Sequence, residues 1–232
     1  MTREEYKNEL FKTYRLVKAL SFKNGGEVLR LRHKSLGRDL LFRSVERSLP
    51  LYEVLKEFSH PNLVRIYDVI SCSDGTVVLE EALTGMTVQE MLETEHFTYR
   101  TAFPVINAVA DALSAIHSLG FVHRDVKPSN VMLTDDGGVR LLDYDAGRFF
   151  VSSDDTIRLG TTGYAAPEQY VGASGPRTDV FAMGVLLNMM LTGKHPSETL
   201  PSDPKARRII KKATAINPDD RYRSAEEFRK AL

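Results

Sequence analysis

A single cysteine, Cys72, is present in the whole chain, so no disulfide can form within it. A free thiol usually packs as a small hydrophobe, and Cys72 is expected in the core. The chain also lacks net charge, with Lys plus Arg and Asp plus Glu at 31 each. Without an excess of one sign, no global field draws it toward nucleic acid or an anionic membrane. Long apolar runs are missing too. The longest, around Val180–Leu191, is broken by Gly184 and Asn188 and falls short of the ~18 residues a membrane-spanning helix needs. The opening stretch MTREEYKNELFKTYR is polar and has no secretory h-region. There is no internal repeat and no low-complexity tract. These absences predict a cytoplasmic protein that inserts in no membrane and binds no nucleic acid. What remains is a chain of 232 residues, 42% of them hydrophobic, enough for one large domain or two small lobes.

The first third reads as strands. Tyr14–Phe22 is followed by the turn Lys23-Asn24-Gly25-Gly26, then by the half-buried pattern of Val28–His33. A turn at Gly37 leads into Asp39–Val45, and Leu63–Ile70 and Thr76–Ala82 flank the hairpin signal Ser73-Asp74-Gly75. Between them Leu51–Phe58 reads as one short helix, with Pro50 at its first position and Ser48 or Leu49 as the cap. From about residue 86 the period becomes helical. Phe103, Ile106, Val109, Ala110, Leu113 and Ile116 share one face of a helix that Gly120 ends. Val131–Leu133 and Val139–Leu142 form a hairpin around Asp135-Asp136-Gly137-Gly138; Asp179–Leu191 is an apolar helix ended by Gly193. Lys205–Ile216 and Ser224–Leu232 complete the helices. The fold class is α+β: a small, mostly β lobe over residues 1–82 and a helical lobe over 83–232.

Chemistry concentrates in His123-Arg124-Asp125-Val126-Lys127-Pro128-Ser129-Asn130, with Asp143 thirteen residues beyond Asn130 across that hairpin. The hairpin folds the chain back, so Asn130 and Asp143 can face one site. An amide oxygen and a carboxylate are hard oxygen ligands suited to Mg²⁺ on nucleotide phosphates. The octapeptide resembles the catalytic loop of the protein kinases, H-R-D-x-K-x-x-N. Gly160-Thr161-Thr162-Gly163-Tyr164-Ala165-Ala166-Pro167-Glu168 is similar to the end of their activation segment. The resemblance spans roughly residues 14–232 and implies a two-lobed Ser/Thr protein kinase acting on a protein substrate with ATP and Mg²⁺. It implies that Asp125 accepts the attacking hydroxyl's proton or orients that hydroxyl, that Lys127 steadies the charge of the transferred phosphoryl group, and that Asn130 and Asp143 hold the metal. It further implies that Thr161 bonds Asp125, that Glu168 pairs with Arg221, and that Asp179 holds the backbone of the catalytic loop; alone, Asp179 would be an ordinary helix N-cap. Gly26, Val28, Arg43, Glu80 and Ala82 join Asn130 and Asp143 as the implied nucleotide-binding positions.

The first lobe departs from the pattern. Of the phosphate-covering glycines only Gly26 survives, with Ser21 and Lys23 in place of the others. Lys23 could donate charge from that turn, although a solvated turn lysine is the simpler reading. Leu40-Leu41-Phe42-Arg43 stands where the family has V-A-I-K. Arg43 therefore replaces the phosphate-gripping lysine, and the two are not interchangeable at a tight site. Leu41 replaces an alanine that packs on adenine. Leu51 occupies the position of the lysine's helical glutamate, while Glu53 lies roughly 200° around the helix, so the Lys–Glu clamp is expected to be absent. D-F-G has become Asp143-Tyr144-Asp145, adding a carboxylate near the phosphates. The residues between Pro196 and Lys205 cannot hold the helix the family usually has there. These features predict a weak Ser/Thr kinase or, alternatively, a pseudokinase serving as a binding or regulatory module. A small-molecule phosphotransferase is disfavoured by the A-P-E segment and its arginine partner.

Overall fold

Thr2 starts the first helix. Its hydroxyl accepts from the Glu5 N–H while the Glu5 carboxylate accepts from the Thr2 N–H, a reciprocal cap that satisfies two orphan donors. This helix, α1 (Arg3–Thr13), is an addition to the elements expected from the sequence. The computed structural model describes residues 1–23, 25–94, 97–150 and 163–232, with Lys23 described by its backbone alone. The expectations for Thr161 and for the side chain of Lys23 therefore lie outside the described residues.

The described residues divide into two compact units, Met1–Ser59 with Val64–Thr84, and His60–Leu63 with Gly85–Leu232. The first carries β1 (Tyr14–Lys23), β2 (Gly26–His33), β3 (Asp39–Val45), α2 (Pro50–Lys56), β4 (Ile66–Cys72) and β5 (Gly75–Glu81). Its five strands form one antiparallel sheet in the order β1-β2-β3-β5-β4. Alternation along the strands puts Leu29, Leu31, Leu40, Phe42 and Val77 on one face, where Tyr6, Leu10 and Phe11 of α1 pack against them. The opposite face carries Arg43 and Glu80, neighbours on a diagonal because Arg43 pairs with Val78 and Leu41 with Glu80. Gly25, at φ 70°, makes the β1–β2 turn, a backbone region that favours glycine. Three expectations shift. Strand β4 begins at Ile66, because Leu63 belongs to the other unit and bridges Leu141 there. Helix α2 stops at Lys56 rather than Phe58, and its N-cap residue, Leu49, makes no side-chain capping bond. Cys72, at the end of β4, is half-buried rather than fully buried.

The second unit contains β6 (Gly85–Thr87), α3 (Val88–Leu92), α4 (Tyr99–Ser118), β7 (Phe121–Val122), β8 (Val131–Thr134), β9 (Val139–Leu141), β10 (Arg148–Phe149), α5 (Pro176–Thr192), α6 (Pro204–Ala213) and α7 (Ala225–Ala231). The strands form a three-stranded sheet β6-β8-β9 and a pair β10-β7. Helix α5 is the buried centre, with Val180, Met183, Val185, Leu186, Leu187 and Met190 all inaccessible. A side chain on Gly184 would meet the Ala213 Cβ at 2.7 Å, so the glycine permits the close approach of the end of α6. No helix lies between α5 and α6. Instead Asn188 of α5 donates its amide to the Lys194 carbonyl at 2.7 Å and the Thr199 carbonyl at 2.9 Å, pinning the short connection. Among the described residues no helix is long and apolar enough to cross a membrane.

Candidate active site

The loop between β7 and β8 carries Asp125, Lys127 and Asn130, and the structure brings these three together. The Lys127 ammonium donates to Asp125 Oδ2 at 2.6 Å. The Asn130 amide donates to the same oxygen at 3.0 Å and to the Asp125 carbonyl at 2.8 Å. Two donors on one carboxylate oxygen fix the orientation of Asp125. Because its nitrogen is committed to Asp125, the Asn130 amide has its orientation set and turns its carbonyl oxygen the other way.

This loop is held from below. Asp179, in the first turn of α5 and fully buried, accepts from the His123 N–H at 2.9 Å and the Arg124 N–H at 2.8 Å. His117, at the end of α4, places Nε2 2.7 Å from the same carboxylate. Burial by itself would raise the Asp179 carboxyl. The bond and charge of His117, the charge of His123 and the Arg124 N–H outweigh it and keep Asp179 below the ordinary carboxylate range. Gln169 adds a further tie, donating to the Arg124 carbonyl at 3.1 Å. His117 and Gln169 escaped the sequence reading because they support the loop from other elements; the only signal was their polar character in buried surroundings.

Asp143 follows β9, which the Leu142 N–H ties to the Asn130 carbonyl at 2.8 Å. Its carboxylate accepts from the Asp145 N–H at 3.3 Å. Asp143 at φ 59° and Arg124 at φ 71° both occupy the left-handed region without being glycine. Such residues cost of order 1–3 kcal/mol each and collect at functional sites, where the surroundings over-determine them. Tyr144 is buried, donates its hydroxyl to the Leu141 carbonyl at 2.8 Å, and packs edge-on to His123. Among the described residues no cluster of three or more His, Cys, Asp or Glu side chains could hold a metal. The amide oxygen of Asn130 and the carboxylate of Asp143 fit Mg²⁺, which keeps waters and takes phosphate oxygens beside one or two protein ligands.

The expected brace downstream is present. Arg221 forms two parallel bonds to Glu168, at 2.7 Å and 2.9 Å. Its remaining donors go to the carbonyls of Ala215, Arg177 and Ile216, and its guanidinium lies 4.9 Å from the centroid of the Phe181 ring.

In the first unit, Gly26 and Val28 lie on β2, Arg43 on β3, Glu80 on β5, and Ala82 just past the end of β5. Arg43 and Glu80 are both buried and form an ion pair, Nη2 to Oε1 at 3.3 Å. The Arg43 guanidinium also lies 5.7 Å from the Tyr52 ring centroid. Helix α2 thus presents an aromatic face to the cation. Its Leu51 is wholly buried and its Glu53 exposed, as the helical phase of the sequence requires. The Arg43 guanidinium fits a grip on a triphosphate poorly, because a buried carboxylate already lies beside it.

A loop built around Asp125, Lys127 and Asn130, braced by a buried aspartate and by the Glu168–Arg221 ion pair, has the arrangement of the protein-kinase class. The family model described as protein kinase domain matches residues 44–231, and the chain belongs to that family. It is 30% identical over 207 residues to the serine/threonine-protein kinase PknB of Mycobacterium tuberculosis, covering 75% of this chain and 33% of that protein. It is 33% identical over 190 residues to the serine/threonine-protein kinase PknL of the same organism, covering 70% of this chain and 48% of that one. PknB of Mycolicibacterium smegmatis is 28% identical over 207 residues, with 75% and 33% covered. The chain therefore spans a third to a half of the length of these relatives. The family generally uses ATP with Mg²⁺ and acts on proteins.

Proposed function

We propose that this chain transfers the γ-phosphate of ATP to a serine or threonine hydroxyl of a protein, slowly, in the cytoplasm. The observation that carries the reading is the orientation of Asp125 by Lys127 and Asn130. Magnesium-bound ATP supplies the phosphoryl group. Asp125 would orient the attacking hydroxyl and take its proton, while Lys127 would balance negative charge beside it. Asn130 and Asp143 would hold a magnesium ion by their side-chain oxygens, and the ion would offset the charge of the phosphates. Catalysis of this kind is positioning and charge stabilisation, so an intact loop supports turnover and an altered phosphate grip lowers it.

A second reading, a pseudokinase that binds and regulates a partner protein with or without nucleotide, is favoured by the buried Arg43–Glu80 pair. A titration of the melting temperature with MgATP, run beside a γ-phosphate transfer assay, separates the two. A shift with transfer supports the kinase. A shift without transfer supports the binding module, and transfer without Mg²⁺ dependence would contradict the assigned metal ligands.

A further inference from the structure

Helix α6 carries Lys205, Arg207, Arg208, Lys211 and Lys212 within its 10 residues, and no acidic residue. Its apolar residues, spaced i, i+3, i+4 and i+7 from Ala206, are all buried, which leaves every cation exposed on the solvent side. Arg207 and Lys211 are stacked at i,i+4, and beside them Arg208 and Lys212 are stacked likewise. Like charges at that spacing work against a helix. Cations in the last turn complement the helix dipole, but that accounts for Lys211 and Lys212 alone. The fold does little to neutralise the row. Lys212 meets Glu227 at 3.6 Å, and Arg207 gives its Nε–H to the Pro201 carbonyl at 3.0 Å. Among the described residues no carboxylate pairs with Arg208 or Lys211. The chain as a whole is neutral, so this concentration of charge is local to one helix face.

We infer that this face of α6 docks an extended, acidic polypeptide segment of a partner protein. A helix of this length measures about 15 Å, and five residues of extended chain cover about 16 Å. One short acidic stretch can therefore lie along the whole row, its carboxylates offsetting the repulsion between stacked cations. A lipid surface fits less well. Helices that lie on bilayers bury apolar side chains in them, and those of α6 are already buried within the protein. Nucleic acid fits less well too, because α6 has no aromatic side chain to stack on a base and no Asn or Gln to read one. Docking here requires neither nucleotide nor phosphate transfer, so it serves a kinase and a binding module alike.

The test titrates the full chain with a decaglutamate peptide at about 0.01 M and about 0.15 M salt, where charges are screened over roughly 30 Å and 8 Å. The parent is expected to bind at low salt and at least about tenfold more weakly at the higher. Arg208→Gln/Lys211→Gln should lose at least about tenfold at low salt. Arg15→Gln/Lys18→Gln, which removes two exposed cations from β1, should bind as the parent does. No binding by the parent, undiminished affinity in the α6 variant, or an equal loss in the β1 variant overturns the inference. The α6 variant should melt no lower than the parent, since like-charge neighbours have been removed. A lower melting temperature would show that these cations serve the fold, and also overturns it. The same titrations are run with vesicles of phosphatidylserine and phosphatidylcholine, and with duplex DNA. If either binds the parent more tightly than the peptide does and loses that binding in the α6 variant, the face belongs to that surface and the acidic segment is ruled out.

Discussion

Asp179 accepts a hydrogen bond from the backbone N–H of Arg124 at 2.8 Å inside the protein, so a carboxylate on one helix sets the path of the loop that holds Asp125, Lys127 and Asn130. Arg124 is the strained residue of that loop, at φ 71°, and Asp179 is part of what holds it there. Asp179→Asn puts an amide nitrogen where one of three donors now points. The expected result is a loss of stability near neutral pH with a larger loss of any phosphate transfer. The pH dependence has a definite sign. The folded carboxyl lies below its ordinary value, so its contribution is complete above the unfolded carboxylate pKa of about 4 and fades as pH falls through the folded value. Chemical denaturation of parent and variant should therefore give a stability gap at pH 7 that narrows below about pH 4; a gap that widens on acidification would contradict this assignment.

The Glu168–Arg221 pair leads to a stability prediction. The Arg221 side chain is wholly buried and Glu168 meets it with both oxygens. Glu168→Ala should destabilise by roughly 3–5 kcal/mol, because a buried cation loses its counter-charge. Three carbonyls still contact the guanidinium, which places the expected value toward the low end. Urea unfolding measures it, and a loss below about 1 kcal/mol would be that of an exposed pair.

Metal dependence tests the second unit on its own. If Asn130 and Asp143 are the metal's protein ligands, Asp143→Asn should abolish the rise in melting temperature produced by MgATP. The free protein should melt close to the parent. A rise of the same size in the variant would mean that nucleotide binds without this carboxylate.

Rebuilding the family's clamp gives a further prediction. Arg43→Lys with Leu51→Glu places an ammonium on β3 and a carboxylate on α2, where Leu51 is now wholly buried. While Glu80 remains, that ammonium has a competing partner on β5, so the double change should raise transfer only slightly. Adding Glu80→Met should raise it by at least about tenfold, equal to 1.4 kcal/mol of barrier. A folded triple variant with no gain would show that the clamp does not limit the reaction.

How far the sequence foretold this depends on whether the information was local. The catalytic loop was legible because eight consecutive residues carry it, and Asp179, Glu168 and Arg221 each stand in short motifs of their own. Helix α1 was not read, although Thr2 and Glu5 spell its cap, because its few apolar residues are scattered among charges and none is fully buried. Asn188 gave no sign of pinning the connection to α6, since its partners are backbone carbonyls fixed only by the folded loop. The Arg43–Glu80 pair was hidden for a different reason. Glu80 ends an apolar run, Val77-Val78-Leu79, and its place beside Arg43 follows from the β3–β5 register, which neither strand encodes alone.

The central claim is that Asp125, oriented by Lys127 and Asn130, performs phosphate transfer. It is tested most directly by the transfer rate of Asp125→Asn against the parent, with MgATP and a generic serine-rich protein substrate. A positioned acid–base group contributes roughly 10²–10⁴ in rate, so the variant should fall at least about a hundredfold below a measurable parent rate while its melting temperature changes little. Equal rates in parent and variant, or no transfer by either, would contradict the claim.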